Sequence, residues 1–131
     1  MKKIIVSSAA PKAVGPYSQA VLFTAKYVME ISGQIGVNPS SGKLVEGINA
    51  QTEQIFENLK AILSEAGFTF KNVVKVRVFL ADIKDYSQVN QIYSKYFTEE
   101  YPARVALAVK DLPIGALIEI ECTAIGDKIK E

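Results

Sequence analysis

The chain has 131 residues, 49% of them hydrophobic and 22% charged, which suits one globular domain over 1–131 and excludes a disordered chain. Fifteen basic residues against fourteen acidic leave a formal charge of +1 with no basic stripe, which argues against a nucleic-acid partner. There is no histidine and one cysteine, Cys122, so imidazole catalysis, zinc sites of Cys and His, and an internal disulfide are excluded.

The longest apolar run is the five residues Val105 to Val109. A membrane helix needs roughly 20, so no membrane association is expected. The N-terminus starts like an export signal, but its apolar stretch is only Ile4-Ile5-Val6, and a reducing cytoplasm is the expected setting.

Lys2 to Val6 reads as a first strand, followed by a Pro- and Gly-containing loop over Ala10 to Pro16. Gln19 to Thr24 and Tyr27 to Ser32 flank Ala25-Lys26 and predict a hairpin. Gly33 to Gly47 is loop-rich, with a short strand around Leu44. Asn49 to Ala66 is the clearest helix: Ile55, Phe56, Leu59, Ile62, Leu63 and Ala66 recur with the 3.6-residue period of a core-facing stripe. Asn49 is its predicted N-cap and Gly67 its C-terminal stop.

Val73 to Ala81 follows as a strand, with Val74, Val76, Val78 and Leu80 on one face and Val73, Lys75, Arg77 and Phe79 on the other. Tyr86 to Thr98 is a second helix, with Val89, Ile92, Tyr93, Tyr96 and Phe97 as its stripe. Arg104 to Val109 and Leu117 to Ile125 are the last two strands. The predicted fold is α+β, in the order β-β-β-α-β-α-β-β: a mixed sheet of five or six strands with two helices on one face. Two helices cover one sheet face only, yet Val105, Leu107 and Val109 oppose Ala106 and Ala108. An uncovered apolar face, used for self-assembly, is therefore expected.

Few residues remain for chemistry. Arg104 heads a strand face otherwise made of Ala106 and Ala108, which leaves room for a carboxylate beside the guanidinium. Read alone, it is better explained as a surface arginine paired with an acid. Glu119 and Glu121 share a face of the last strand, where one could hold a water; alone, they suit the charged guard of an edge strand. Tyr17, in Gly15-Pro16-Tyr17-Ser18-Gln19, is either a pocket wall or a lid on the core edge. Ser32-Gly33 enters a glycine-rich loop whose N–H groups could bind an anion or simply form a turn. Asn90, on the second helix, has either a specific hydrogen bond or a solvated face. Cys122 alternates with Ile118, Ile120 and Ala124 and reads as a core thiol.

Several segments then become recognisable together: GPYSQA at 15–20, SGQIGVNP at 32–39, ENLKAIL at 57–63, VVKVRVFLAD at 73–82, VNQIYSKYF at 89–97, PARVALAV at 102–109, LP at 112–113 and IEIE at 118–121. In this order and spacing the chain resembles the reactive-intermediate deaminase family, also called Rid or YjgF, over nearly its whole length. The resemblance implies the fold also seen in one class of chorismate mutase, and a homotrimer with clefts between subunits. It implies hydrolysis of 2-imino acids such as 2-iminobutanoate and 2-iminopropanoate to 2-oxo acids and ammonia, with no metal or organic cofactor. Such imines arise from enamines released by pyridoxal-phosphate enzymes. By the same resemblance, Arg104 binds the substrate carboxylate, Glu119 positions the attacking water and Tyr17 lines the cleft, with Ser32, Gly33 and Asn90 beside it. Many members carry cysteine where this chain has Ala106, whose main chain remains able to contact ligand.

An iminium carbon is already electrophilic, so a site without histidine or metal is adequate for its hydrolysis. Deaminating an aromatic base uses a zinc-bound water and a signature that this chain lacks. Two other readings stay open: a ligand-sensing regulatory trimer, and RNA cleavage or translation inhibition, against which the neutral charge and missing histidine argue.

Overall fold

Apolar residues recur at helical spacing from Ile55 to Leu63 and alternate from Val76 to Leu80, and in the computed structural model, which describes residues 1–131, these stretches meet as the core. Val73, not the predicted Val74, joins them, because an irregularity between Val73 and Lys75 shifts the register. The order is β1 (Lys2–Ile5), β2 (Ala20–Phe23), β3 (Tyr27–Ile35), β4 (Val37–Asn38), β5 (Lys43–Leu44), α1 (Ile48–Glu65), β6 (Val73–Leu80), α2 (Tyr86–Tyr96), β7 (Ala103–Ala108) and β8 (Ile118–Gly126). The principal sheet has the order β3-β8-β6-β7, with β6 and β7 parallel and the other pairs antiparallel. Both helices pack on one face of this mixed sheet, as the α+β reading expected. No helix is long and apolar enough to cross a membrane.

The strands outside the principal sheet form two ribbons, β1-β2 and β4-β5. The first ribbon meets the sheet through one parallel bridge, Ser18 to Ala103, so a count of six is reached only across that contact. The predicted hairpin is not formed: β2 pairs with β1 and β3 pairs with β8, nearly a hundred residues away in the chain. Nothing between them has the Asn-Gly or Gly-Gly chemistry of a tight hairpin turn. Instead the Thr24 N–H donates to the Met1 carbonyl and the Lys26 N–H to the Asp127 carboxylate.

Helix α1 starts one residue before the predicted cap. Gly47 is its N-cap, with φ of 90°, and no side chain caps it, so Asn49 lies within the first turn. Gln51 takes over the anchoring. Its buried amide donates to the Val45 carbonyl at 3.0 Å and accepts from the Leu117 N–H at 2.8 Å, which fixes the chain just ahead of β8. A Cβ on Gly36 would meet the Gln51 Cα at 2.7 Å, so only glycine lets the end of β3 press against the helix.

Side chains directly opposite in a sheet share a face. Val76, Val78 and Leu80 of β6 therefore face the helices together with Ile118, Ile120 and Cys122 of β8, and all six are buried. The open face carries Phe79, Val105 and Leu107 alongside Lys75, Arg77, Glu119 and Glu121. Val105 and Leu107 are 41% and 40% exposed. The uncovered face is thus mixed rather than apolar as expected, because β6 and β8 alternate apolar-in with charged-out.

Candidate active site

Arg104 pairs with Val76 and so lies on the helix-covered face, at the β7 edge of the sheet. The adjoining face of α2 presents Tyr86, Asn90 and Tyr93, at helical spacings of four and three. Nη1 of Arg104 donates to Asn90 Oδ1 at 2.7 Å, and Nη2 donates to the Tyr86 hydroxyl at 2.7 Å. Three rings surround the guanidinium, with centroids 4.9 Å (Tyr93), 5.4 Å (Tyr17) and 5.5 Å (Tyr86) from Cζ. No carboxylate pairs with it, and the ion pairs of the chain are Arg77–Glu121 and Lys95–Glu53. The alternative of a surface arginine paired with an acid is therefore removed. Every neighbour of this half-buried cation is neutral.

The loop ahead of β2 supplies Tyr17. The Tyr17 N–H donates back to the Gly15 carbonyl at 2.8 Å, a tight turn about Pro16, whose ring presets the backbone. Ser18 then pins the loop to the start of β7. Its N–H donates to the Pro102 carbonyl at 3.1 Å and its hydroxyl to the Tyr101 carbonyl. The result is an open cavity of about 240 Å³ lined by Tyr17, Tyr86, Arg104, Val105 and Ala106. A larger groove of about 620 Å³ lies under the loop after β1, but Lys12 is the one charged side chain on its wall. The smaller cavity, with Arg104 on its wall, is therefore the candidate site.

Glu119 is elsewhere. It pairs with Phe79 on the open sheet face, and β8 is a central strand, so it guards no sheet edge. Its carboxylate lies against Gly33, at the irregularity in β3 between Ile31 and Gln34, where a Cβ would collide with it. Ser32 and Gly33 are both exposed. No three carboxylate or thiol side chains converge to hold a metal. Beneath Arg104, the Tyr93 hydroxyl is fully buried with no hydrogen-bond partner, and burial raises its pKa well above the usual phenol range. Burial likewise pushes the Cys122 thiol up to about 12, which leaves it an unreactive core group.

The family model described as Endoribonuclease L-PSP matches residues 7–126. The chain belongs to this family, that of the Rid or YjgF proteins. Among relatives of this Rid-family chain, a human protein named 2-iminobutanoate/2-iminopropanoate deaminase is 49% identical over 126 residues, covering 95% of this chain and 90% of its own. A RutC family protein of Pyrococcus horikoshii is 47% identical over 125 residues, covering 95% and 98%. Among solved structures, RidA from an Antarctic Psychrobacter superposes with a TM-score of 0.74 at 43% identity, covering 94% of this chain and 98% of that one.

Within one Rid-family chain, the residues singled out from sequence therefore fall into two groups. Tyr17, Asn90, Arg104 and Ala106 gather at the β7 edge; Ser32, Gly33 and Glu119 gather at the β3–β8 bulge on the other face. Sequence reasoning missed Tyr86 and took Tyr93 only as core. Their spacing from Asn90 on one helix face was the available signal.

Proposed function

We propose that the protein hydrolyses small 2-imino acids, such as 2-iminobutanoate and 2-iminopropanoate, to 2-oxo acids and ammonia, in clefts completed by a second copy within a homotrimer. The observation that carries this reading is the unpaired, half-buried guanidinium of Arg104, held by the neutral acceptors Asn90 and Tyr86 beside an open cavity. A desolvated cation without an internal acid is a binding site for an external one, and its planar fork matches a carboxylate. The names of the mammalian relatives support the reaction.

In this reading, Arg104 grips the substrate carboxylate and the Tyr17 ring walls the cleft. Glu119 of a neighbouring copy holds and polarises a water, with Ser32 and Gly33 beside it. The water oxygen bonds to C2 of the iminium, the C=N electrons move to nitrogen, and proton transfer follows. The carbinolamine then releases ammonia and leaves the 2-oxo acid, with water as sole co-reactant. A second copy is invoked because Arg104 and Glu119 occupy opposite faces of one sheet and cannot meet on one small ligand.

The test is ammonia release from freshly generated 2-iminobutanoate. Ammonia release is expected from the wild type, with kcat/KM more than tenfold lower in Arg104→Ala and poor rescue in Arg104→Lys, since a point charge lacks the fork. A wild-type chain that binds 2-oxobutanoate but releases no ammonia would favour a sensing role instead.

A further inference from the structure

We infer that Tyr86 is a positioning residue that sets the grip of Arg104 on carboxylates, an inference that rests on the imine-hydrolase reading above. Arg104 is on an edge strand and has no acid to orient it. An arginine side chain has several rotatable bonds, so a free guanidinium would spread over many orientations, few of which present a usable fork. Two hydrogen bonds remove that freedom. Asn90 holds Nη1 and Tyr86 holds Nη2, each at 2.7 Å, from positions one turn apart on α2.

Two points on opposite nitrogens fix both the position and the plane of the group; Asn90 alone would leave a pivot about Nη1. The acceptor on Nη2 is also neutral. An aspartate or glutamate there would hold the fork equally well but would compete with the ligand for the positive charge. The phenol orients the cation without neutralising it, and its ring adds a π face 5.5 Å from Cζ. Tyr86 also lines the cavity itself, so its hydroxyl acts where the ligand's carboxylate would dock.

Misorienting the fork weakens the carboxylate contact equally in the bound substrate and in the transition state, because the carboxylate takes no part in bond making. Such uniform loss raises KM and leaves kcat in place. Tyr86→Phe keeps the ring and deletes the hydroxyl. We expect KM for 2-iminobutanoate and the dissociation constant of 2-oxobutanoate to rise together by about five- to tenfold, with kcat within about twofold of wild type. The same change made on an Arg104→Lys background, which keeps the charge but has no fork to orient, should alter 2-oxobutanoate affinity by less than about twofold.

Wild-type KM in Tyr86→Phe overturns the inference. So does an equal loss of affinity on both backgrounds, which would make Tyr86 a direct ligand contact or a fold element rather than a holder of Arg104. Should the wild-type chain itself neither bind 2-oxobutanoate nor release ammonia, the imine-hydrolase reading falls and this inference with it. That result is distinct from an active wild type whose Tyr86→Phe variant is unchanged.

Discussion

Gly33 and Glu119 show how one missing methyl can make room for a carboxylate. The Gly33 backbone is not in the left-handed region, so glycine is required there for space and not for its conformational freedom. A Cβ at this position would occupy the volume of the Glu119 carboxylate. That carboxylate is the far end of a flexible side chain and would swing away. Gly33→Ala is therefore expected to lower turnover at least tenfold, through loss of the positioned base, while costing under about 1 kcal/mol of stability. Paired activity and thermal-melting measurements check this; unchanged turnover would show that the Glu119 position does not matter. Arg104, Glu119 and Gly33 were legible in the sequence as motif residues. The unpaired state of Arg104 was not, because an arginine's partner depends on which elements fold beside it. Asn90 could be read equally as solvated, until α2 docked against β7 and placed its amide at Nη1.

Among the elements, α1 and α2 are joined at the surface by a clamp on Glu53. Its carboxylate accepts from the Tyr96 hydroxyl at 2.6 Å and from Lys95 Nζ at 2.9 Å, while the Tyr96 ring stacks on Phe56 at 4.4 Å. The Tyr96 hydrogen bond is the main cause that holds the Glu53 pKa below its ordinary 4.5, with Lys95 adding to it. A lowered folded-state value means that the clamp's contribution is present above 4.5 and fades as pH falls through the folded-state value. Glu53→Gln should thus be less stable than wild type at neutral pH, by about 1 kcal/mol or less at so exposed a site. The gap should close in acid, below the folded-state pKa. Denaturant titrations of both proteins from neutral pH downward measure it; a gap that persists unchanged in acid removes the electrostatic account.

The elements themselves were largely readable, since the α1 stripe and the β6 alternation are local patterns. What failed was pairing. The β3–β8 ladder joins residues nearly a hundred positions apart, and no local pattern encodes a partner at that distance, so adjacency in sequence was mistaken for a hairpin. The central place of β8 was lost for the same reason, and with it the meaning of its half-buried glutamates.

At the scale of the whole molecule, the chain carries its two residue clusters on opposite faces of one sheet. The Arg104 cluster opens at the β7 edge on the helix side, and the Glu119–Gly33 cluster lies on the open face next to β3, at the opposite edge. A cyclic assembly brings the edge of one chain to the face of the next and repeats that contact until the ring closes. Exposed Val105 and Leu107, beside the cavity residue Ala106, supply apolar surface for such a contact. Light scattering is therefore expected to report three chains of 14.3 kDa each. The stronger test is genetic in form. Arg104→Ala and Glu119→Gln are each expected to be nearly inactive alone. Co-expressed and purified as mixed trimers, they should regain about one third of wild-type activity, because in a cyclic trimer of two chains of one kind and one of the other, one cleft of the three has an intact arginine from one chain and an intact glutamate from its neighbour. A site built within one chain would recover nothing on mixing, since each subunit would still carry one lesion in its own cleft. Mixed trimers as inactive as either parent would therefore refute the shared cleft, even with trimeric mass confirmed.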